Sequence, residues 1–235
     1  MQFFKDKSPI DFSSFSHEFP FEAQILEPFL SEDWRFTIEN GKLSFLHGEY
    51  KPIFIDIFNI LNNHKVYFQK HSFYQENLAK ALGIKKGKPR GRFCDATAGL
   101  LGDSLMMSCF DIGSIDVYER HPVAAVLINN AISQSEFNCH FHFKSAADIT
   151  ESYDVIFYDP MYEDKNTKSA PKKEMQIFRD IIGNDLDSLE VAKHLRSLAK
   201  ERLVIKRPLK SSLLLEAPSH QIKGKSTRFD VYMHV

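Results

Sequence analysis

Three cysteines, one tryptophan and no apolar run of eighteen residues occur in this 235-residue sequence. Cys94, Cys109 and Cys139 form no CxxC pair and lie within apolar stretches. That excludes a disulfide framework and a cysteine zinc site, and it predicts buried, reduced thiols. No stretch is long enough to signal a membrane span. The opening residues Met1 to Lys7 include Lys5, Asp6 and Lys7 and no long apolar core, so they do not read as a secretory leader, and the expectation is a cytoplasmic protein. Neither sign of charge dominates, with 30 Lys and Arg against 31 Asp and Glu. The distribution is uneven: residues 1–60 carry 5 basic and 10 acidic side chains, and residues 164–235 carry 15 and 9. A polyanionic partner is therefore not demanded by the total, but the C-terminal third allows one locally.

What is present is a globular composition, 43% hydrophobic and 26% charged, with 21 phenylalanines that predict an aromatic-rich interior. Trp34 to Leu46 alternates apolar residues around Asn40-Gly41, the pair that favours a two-residue hairpin turn. Residues 1–60 read as a partly β accessory segment and 61–235 as the main domain. Phe73, Leu78, Ala81 and Leu82 have helical spacing, with Gly83 placed as a C-cap glycine. Beyond the basic turn at 85–91, short apolar runs alternate with helical stretches: Arg92–Asp95, Asp103–Cys109, Ser114–Glu119, Pro122–Gln134, His140–Phe143, Asp154–Asp159, 185–200 and Arg202–Lys206. This alternation predicts βαβ units and an α/β fold with a parallel sheet. Gln221–Lys223 and Arg228–His234 flank a Gly-Lys-Ser-Thr loop and predict an antiparallel C-terminal hairpin on that sheet.

The loop Asp95-Ala96-Thr97-Ala98-Gly99-Leu100-Leu101-Gly102-Asp103 joins the first parallel strand to its helix. Ligands of open α/β sheets bind at such carboxyl ends, and small residues let them approach the backbone. The loop is neither GxxxxGK[ST] nor GxGxxG, so triphosphate and pyrophosphate readings lose ground. Acids at both ends are awkward beside phosphates but suit a cofactor with an amine and a sulfonium, such as S-adenosylmethionine. Glu119 ends the second strand, where Rossmann-like folds place an acid on ribose hydroxyls. The competing readings are an ordinary tight turn for Asp95 and Gly99, and a helix-start acid for Glu119.

Val155 to Tyr162 ends a buried strand with Asp159-Pro160-Met161-Tyr162. Proline stops the ladder, so the Asp159 side chain and the backbone carbonyls can converge on an amine. Two acceptors holding its N–H groups aim the lone pair at an incoming methyl, and Tyr162 would stack on the base. The competing reading is a strand-ending Asp-Pro turn with a core tyrosine. Lys165, Lys168, Lys172 and Lys173 suit a phosphate-binding loop or simply a solvated one, and Lys206-Arg207-Pro208, which ends a later strand on the same sheet edge, is by position the better candidate for contact with RNA phosphates. His140 and His142 share a strand face without a third ligand at metal spacing.

These segments, together with Glu119-Arg120-His121-Pro122-Val123, Lys172-Lys173-Glu174-Met175, Val204-Ile205-Lys206-Arg207-Pro208 and Arg228-Phe229-Asp230-Val231-Tyr232, make the chain resemble the RsmJ-type methyltransferases over about 65–235. That family uses S-adenosylmethionine to methylate a guanine N2 of small-subunit (16S) ribosomal RNA. The resemblance implies a class I, Rossmann-like domain with a mostly parallel seven-stranded sheet. It implies cofactor contacts at Gly102-Asp103, Glu119-Arg120, Ser145-Ala146 and Asp159, and ribosomal RNA or the 30S particle as partner. Two contact pairs depart from the family, which has arginine before aspartate where this chain has Gly102-Asp103, and two serines where it has Ser145-Ala146. Lys70 to Asn77 replaces a glycine- and arginine-rich stretch, which bears on the acceptor. An adenine amine, a protein amide, a silent RNA-binding module and, more distantly, a nicotinamide oxidoreductase stay open as rival readings.

Overall fold

The computed structural model describes residues 2–5, 8–11, 23–31, 34–39, 42–48, 50–87, 91–161 and 185–234. The N-terminal part contains two antiparallel pairs: β1, Gln2–Lys5, with β2, Ser8–Asp11, and β3, Trp34–Glu39, with β4, Lys42–His47. Register Glu39↔Lys42 leaves two residues for the turn, as the Asn40-Gly41 reading requires, although that turn lies outside the described residues. Phe36 and Phe45 pair across the strands with ring centroids 5.0 Å apart. Both are fully buried, and the hairpin packs on helix α4, Pro122–Ser133. Its apolar face thereby joins the core beneath the main sheet.

Helix α1, Ile57–Lys70, was not anticipated from the sequence. Its signal was present: Asp56 caps it by accepting from Asn59 N at 3.2 Å, and Ile57, Ile60, Leu61 and Phe68 line one side toward the core. The helix expected over Phe73–Leu82 is instead a 3-10 turn, Phe73–Gln75, followed by α2, Asn77–Ala81. Glu76 is extended between them, and Phe73 stacks on Phe110 at 5.7 Å, so tertiary packing breaks the helical run. Gly83 ends α2 as expected, at φ +73°. The Ile84 N–H returns to Ala79 O at 2.9 Å, closing a left-handed cap that a side chain would strain.

Seven strands form the main sheet: β5 Phe93–Asp95, β6 Ile115–Glu119, β7 Cys139–Phe143, β8 Tyr153–Tyr158, β9 Ala199–Pro208, β10 His220–Lys223 and β11 Thr227–Met233. Their order is β10-β11-β9-β8-β5-β6-β7. β5 through β9 run parallel, and β10 and β11 are antiparallel, the predicted architecture. Helix α3, Gly102–Ser108, follows β5, α4 follows β6, and α5, Ser188–Leu198, precedes β9. The chain winds one way from β5 through β6 and β7 and the other way through β8 and β9, so the crevice between β5 and β8 is a topological switch point. Of the three cysteines, all free, only Cys94 is buried; Cys109 and Cys139 are half-buried, a correction to the expectation for those two. Among the described residues no helix is long and apolar enough to cross a membrane.

Candidate active site

A cavity of about 410 Å³ opens at this switch point, along the carboxyl ends of β5, β6, β8 and β9. Its size is within the range of about 300–1,000 Å³ usual for small-molecule sites. Ala96, Ala98, Ala146, Tyr158 and Val191 give it apolar lining, and its charged groups come from opposite sides of β5, Glu119 and Arg120 at the end of β6, Asp159 after β8 and Lys206 on β9.

The first loop is tied on both sides. Asp95 is 1% exposed, accepts from Thr97 N at 3.1 Å and from the Ser104 hydroxyl, and so fastens the loop to α3 from behind the cavity wall. It is not among the cavity-lining residues, and burial pushes its carboxyl up to about 7. Ala96 N donates to Phe157 O and Ala98 N to Tyr118 O, which clamp the loop to the neighbouring strand ends. Gly99 then turns with φ +55°, bringing its N–H onto Glu119 Oε2 at 2.8 Å.

Glu119 does line the cavity. His121 N donates to its other oxygen at 2.7 Å. A carboxylate has about four acceptor positions, so capacity remains for ligand hydroxyls. Burial raises the Glu119 carboxyl to about 7, against the opposing pull of the backbone donors. Beside it lie Arg120, Ser145 and Ala146. Arg120 pairs with Asp185 and, at 2.9 Å, with Asp187. Asp185 in turn accepts from Met161 N at 2.7 Å, which ties the residues just after β8 to those just before α5.

At the opposite end Lys206, from β9, reaches Asp103 Oδ2 at 2.6 Å and Asp159 Oδ2 at 3.0 Å. Burial alone would lower the Lys206 ammonium, but Asp159 and Asp103 outweigh it and hold it above its ordinary value. Asp159 is fixed a second time, by its backbone N–H donating to Thr97 Oγ1 at 2.7 Å. Gly102 and Pro160 complete this end. A Cβ built on Gly102 would meet no atom within 4 Å, so the site keeps open room there.

The structure thus brings Gly99, Gly102, Asp103, Glu119, Arg120, Ser145, Ala146, Asp159 and Pro160 to one cavity. Two residues expected at RNA phosphates are placed differently. Lys206 belongs to the cavity, and Arg207, 7% exposed, donates to Ser212 O at 3.4 Å on the other side of β9. Tyr162, Lys165, Lys168, Lys172 and Lys173 lie outside the described residues. His142 bonds Asp116 at 2.9 Å and stacks on Tyr118. Sequence reasoning missed Asp185, which returns to the cavity 24 residues after Met161 with no motif around it. It also missed the bracing roles of Thr97 and Ser104, whose position inside and just after the first loop was the available signal.

The donor set fits S-adenosylmethionine. An acceptor carboxylate stands at one end for ribose hydroxyls, apolar side chains are part of the lining, and carboxylates with an ammonium stand at the other end for a charged amino acid. Comparison with known proteins agrees. The family model described as "Putative SAM-dependent methyltransferase" matches residues 31–234. A protein from Laribacter hongkongensis named Ribosomal RNA small subunit methyltransferase J is 38% identical over 170 residues, 66% of this chain and 60% of that protein. One of the same name from Thioalkalivibrio sulfidiphilus is 36% identical over 178 residues, 69% of each. The match therefore spans 60% to 69% of the length of these two relatives. A crystal structure of a SAM-dependent methyltransferase from Neisseria gonorrhoeae superposes with a TM-score of 0.64 at 26% identity, covering 89% of this chain and 90% of that one. With its sheet order, its switch-point cavity and a family match across residues 31–234, the chain belongs to the S-adenosylmethionine-dependent methyltransferases.

Proposed function

We propose that this protein methylates the exocyclic N2 amine of a guanine in small-subunit ribosomal RNA, alone or within the 30S particle. The relatives' shared name supports the RNA. The observation that carries the chemistry is the placement of Asp159-Pro160 at the end of β8, on the cavity wall and braced by Thr97 and Lys206. When bound, S-adenosylmethionine would supply an electrophilic methyl group on a sulfonium, the sulfur leaving as a neutral thioether, and the methylated amine would release one N–H proton to solvent.

An amine conjugated with a base ring is a poor nucleophile. Asp159 and the Pro160 carbonyl accept its N–H groups, which turns the nitrogen toward a tetrahedral lone pair. Such acceptors gain strength as positive charge develops on nitrogen, so they act mainly in the transition state. Tyr162 stacks on the base and fixes the ring plane. Glu119 takes the ribose hydroxyls, with Gly99, Arg120, Ser145 and Ala146 beside the nucleoside end and Gly102 and Asp103 toward the amino-acid end. Asp95 acts at one remove, by holding the loop. Lys165, Lys172 and Lys173 contact RNA phosphates. An acceptor of this kind also places the reaction in the cytoplasm.

Single-turnover methyl transfer to 30S particles lacking the modification tests the reading. Asp159→Ala should be slower by about 10²-fold or more, the scale of one preorganised partner. Transfer at the wild-type rate would refute the amine-orienting role. Mass mapping of the methylated RNA identifies the acceptor, and modification of an adenine, or of a protein instead, would overturn the guanine assignment.

A further inference from the structure

Two cations line the cavity among the described residues, Arg120 and Lys206. Arg120 is committed to Asp185 and Asp187 beside Glu119. Lys206 is a quarter exposed and stands between Asp103 and Asp159. An ammonium has three donors, and two of these go to the carboxylates. No other described acceptor is bonded to it.

This arrangement is poorly suited to an RNA phosphate, which would have to approach two carboxylates within about 3 Å of the same ammonium. It is well suited to a zwitterion. Two negative groups and one positive group give this end a net charge of −1. The amino-acid arm of S-adenosylmethionine, sulfonium included, carries +1, with a carboxylate for the lysine and an ammonium for Asp103. We infer that Lys206 is a specificity-determining residue that reads the carboxylate of the cofactor's amino-acid arm, rather than an RNA-phosphate ligand. Open room beside Gly102 leaves that arm space to reach it. The inference rests on S-adenosylmethionine as cofactor and not on the identity of the methyl acceptor.

Calorimetry with three probes tests it without turnover: S-adenosylmethionine, its decarboxylated form, and 5′-methylthioadenosine, which lacks the arm. The wild type should prefer S-adenosylmethionine over the decarboxylated form by tenfold or more. Lys206→Met should abolish or invert that preference, weakening S-adenosylmethionine and not the decarboxylated form and leaving 5′-methylthioadenosine unchanged, whereas Lys206→Arg should keep most of it. Equal affinities of the wild type for the first two probes would overturn the inference. So would a full preference retained in Lys206→Met, with or without a lower salt dependence of RNA binding, or an equal loss for all three probes. Where the methionine variant does not fold, Lys206→Gln is read in the same way. Wild-type protein that binds none of the probes would instead refute the cofactor reading.

Discussion

Burial holds the Glu119 carboxyl near 7, well above its usual 4.5, so binding of a nucleoside through that carboxylate should depend on pH. Ribose hydroxyls donate to the ionised form and favour it. Above pH 7 Glu119 is already ionised and affinity should be flat. Below pH 7 a proton must leave before the hydroxyls can donate, and affinity should fall by up to about tenfold per pH unit. Between pH 8 and pH 6 the loss should approach about tenfold. The suitable probe is 5′-methylthioadenosine, which has the ribose hydroxyls but no α-amine titrating near 8. Calorimetry in two buffers of different ionisation enthalpy should show close to one proton released at pH 6 and almost none at pH 8. Asp95 is also raised to about 7, but it lies behind the cavity wall, so its titration bears on stability rather than on the ligand. Glu119→Gln should remove the pH dependence. It should also bind more weakly and fold less stably by about 1–3 kcal/mol, because Gly99 N–H and His121 N–H sit on different carboxylate oxygens and one of them would face the amide NH2. The stability of the wild type carries the opposite pH dependence. The folded state binds the Glu119 proton more tightly than the unfolded chain, so this contribution is full below about pH 4.5 and is lost as pH rises through about 7. Equal affinity at pH 6 and pH 8 without proton release would refute the assignment of Glu119 to the ribose.

Ser104→Ala should lower the urea midpoint by the equivalent of about 1–3 kcal/mol without changing the slope, because it removes a donor from the fully buried Asp95; an unchanged midpoint would count against it. Arg228 donates to both oxygens of the buried Asp230 and to the carbonyls of Pro208, Leu209, Ser211 and Ser212. Arg228→Met should therefore cost about 3–5 kcal/mol in chemical denaturation, and a loss under 1 kcal/mol would contradict that accounting. Lys172→Ala and Lys173→Ala should each reduce the slope of log RNA affinity against log salt by about one unit, and unchanged slopes would return both residues to solvated surface.

Local sequence determined the frame of this protein because the relevant physics is local. Alternating apolar runs and helical stretches require a parallel sheet, Gly83 marks a left-handed cap, and the register Glu39↔Lys42 matches the turn expected at Asn40-Gly41. The small residues from Ala96 to Gly102 and the acid at Glu119 were legible as a site because a strand's carboxyl end fixes where they point. Tertiary structure decided what depends on distant partners. The run from Phe73 to Leu82 had the periodicity of one helix, yet contact with Phe110 and an extended Glu76 divided it. Asp95 and Glu119 look equivalent as strand-ending acids, but Ser104 draws one behind the wall while Gly99 and His121 hold the other at the cavity. Lys206 and Arg207 are neighbours in sequence and alternate across β9, so one enters the cavity between Asp103 and Asp159 and the other is buried on the opposite face. No spacing rule predicts that Asp103, Asp159 and Lys206 share one point, because their meeting is set by the order in which the strands lie in the sheet.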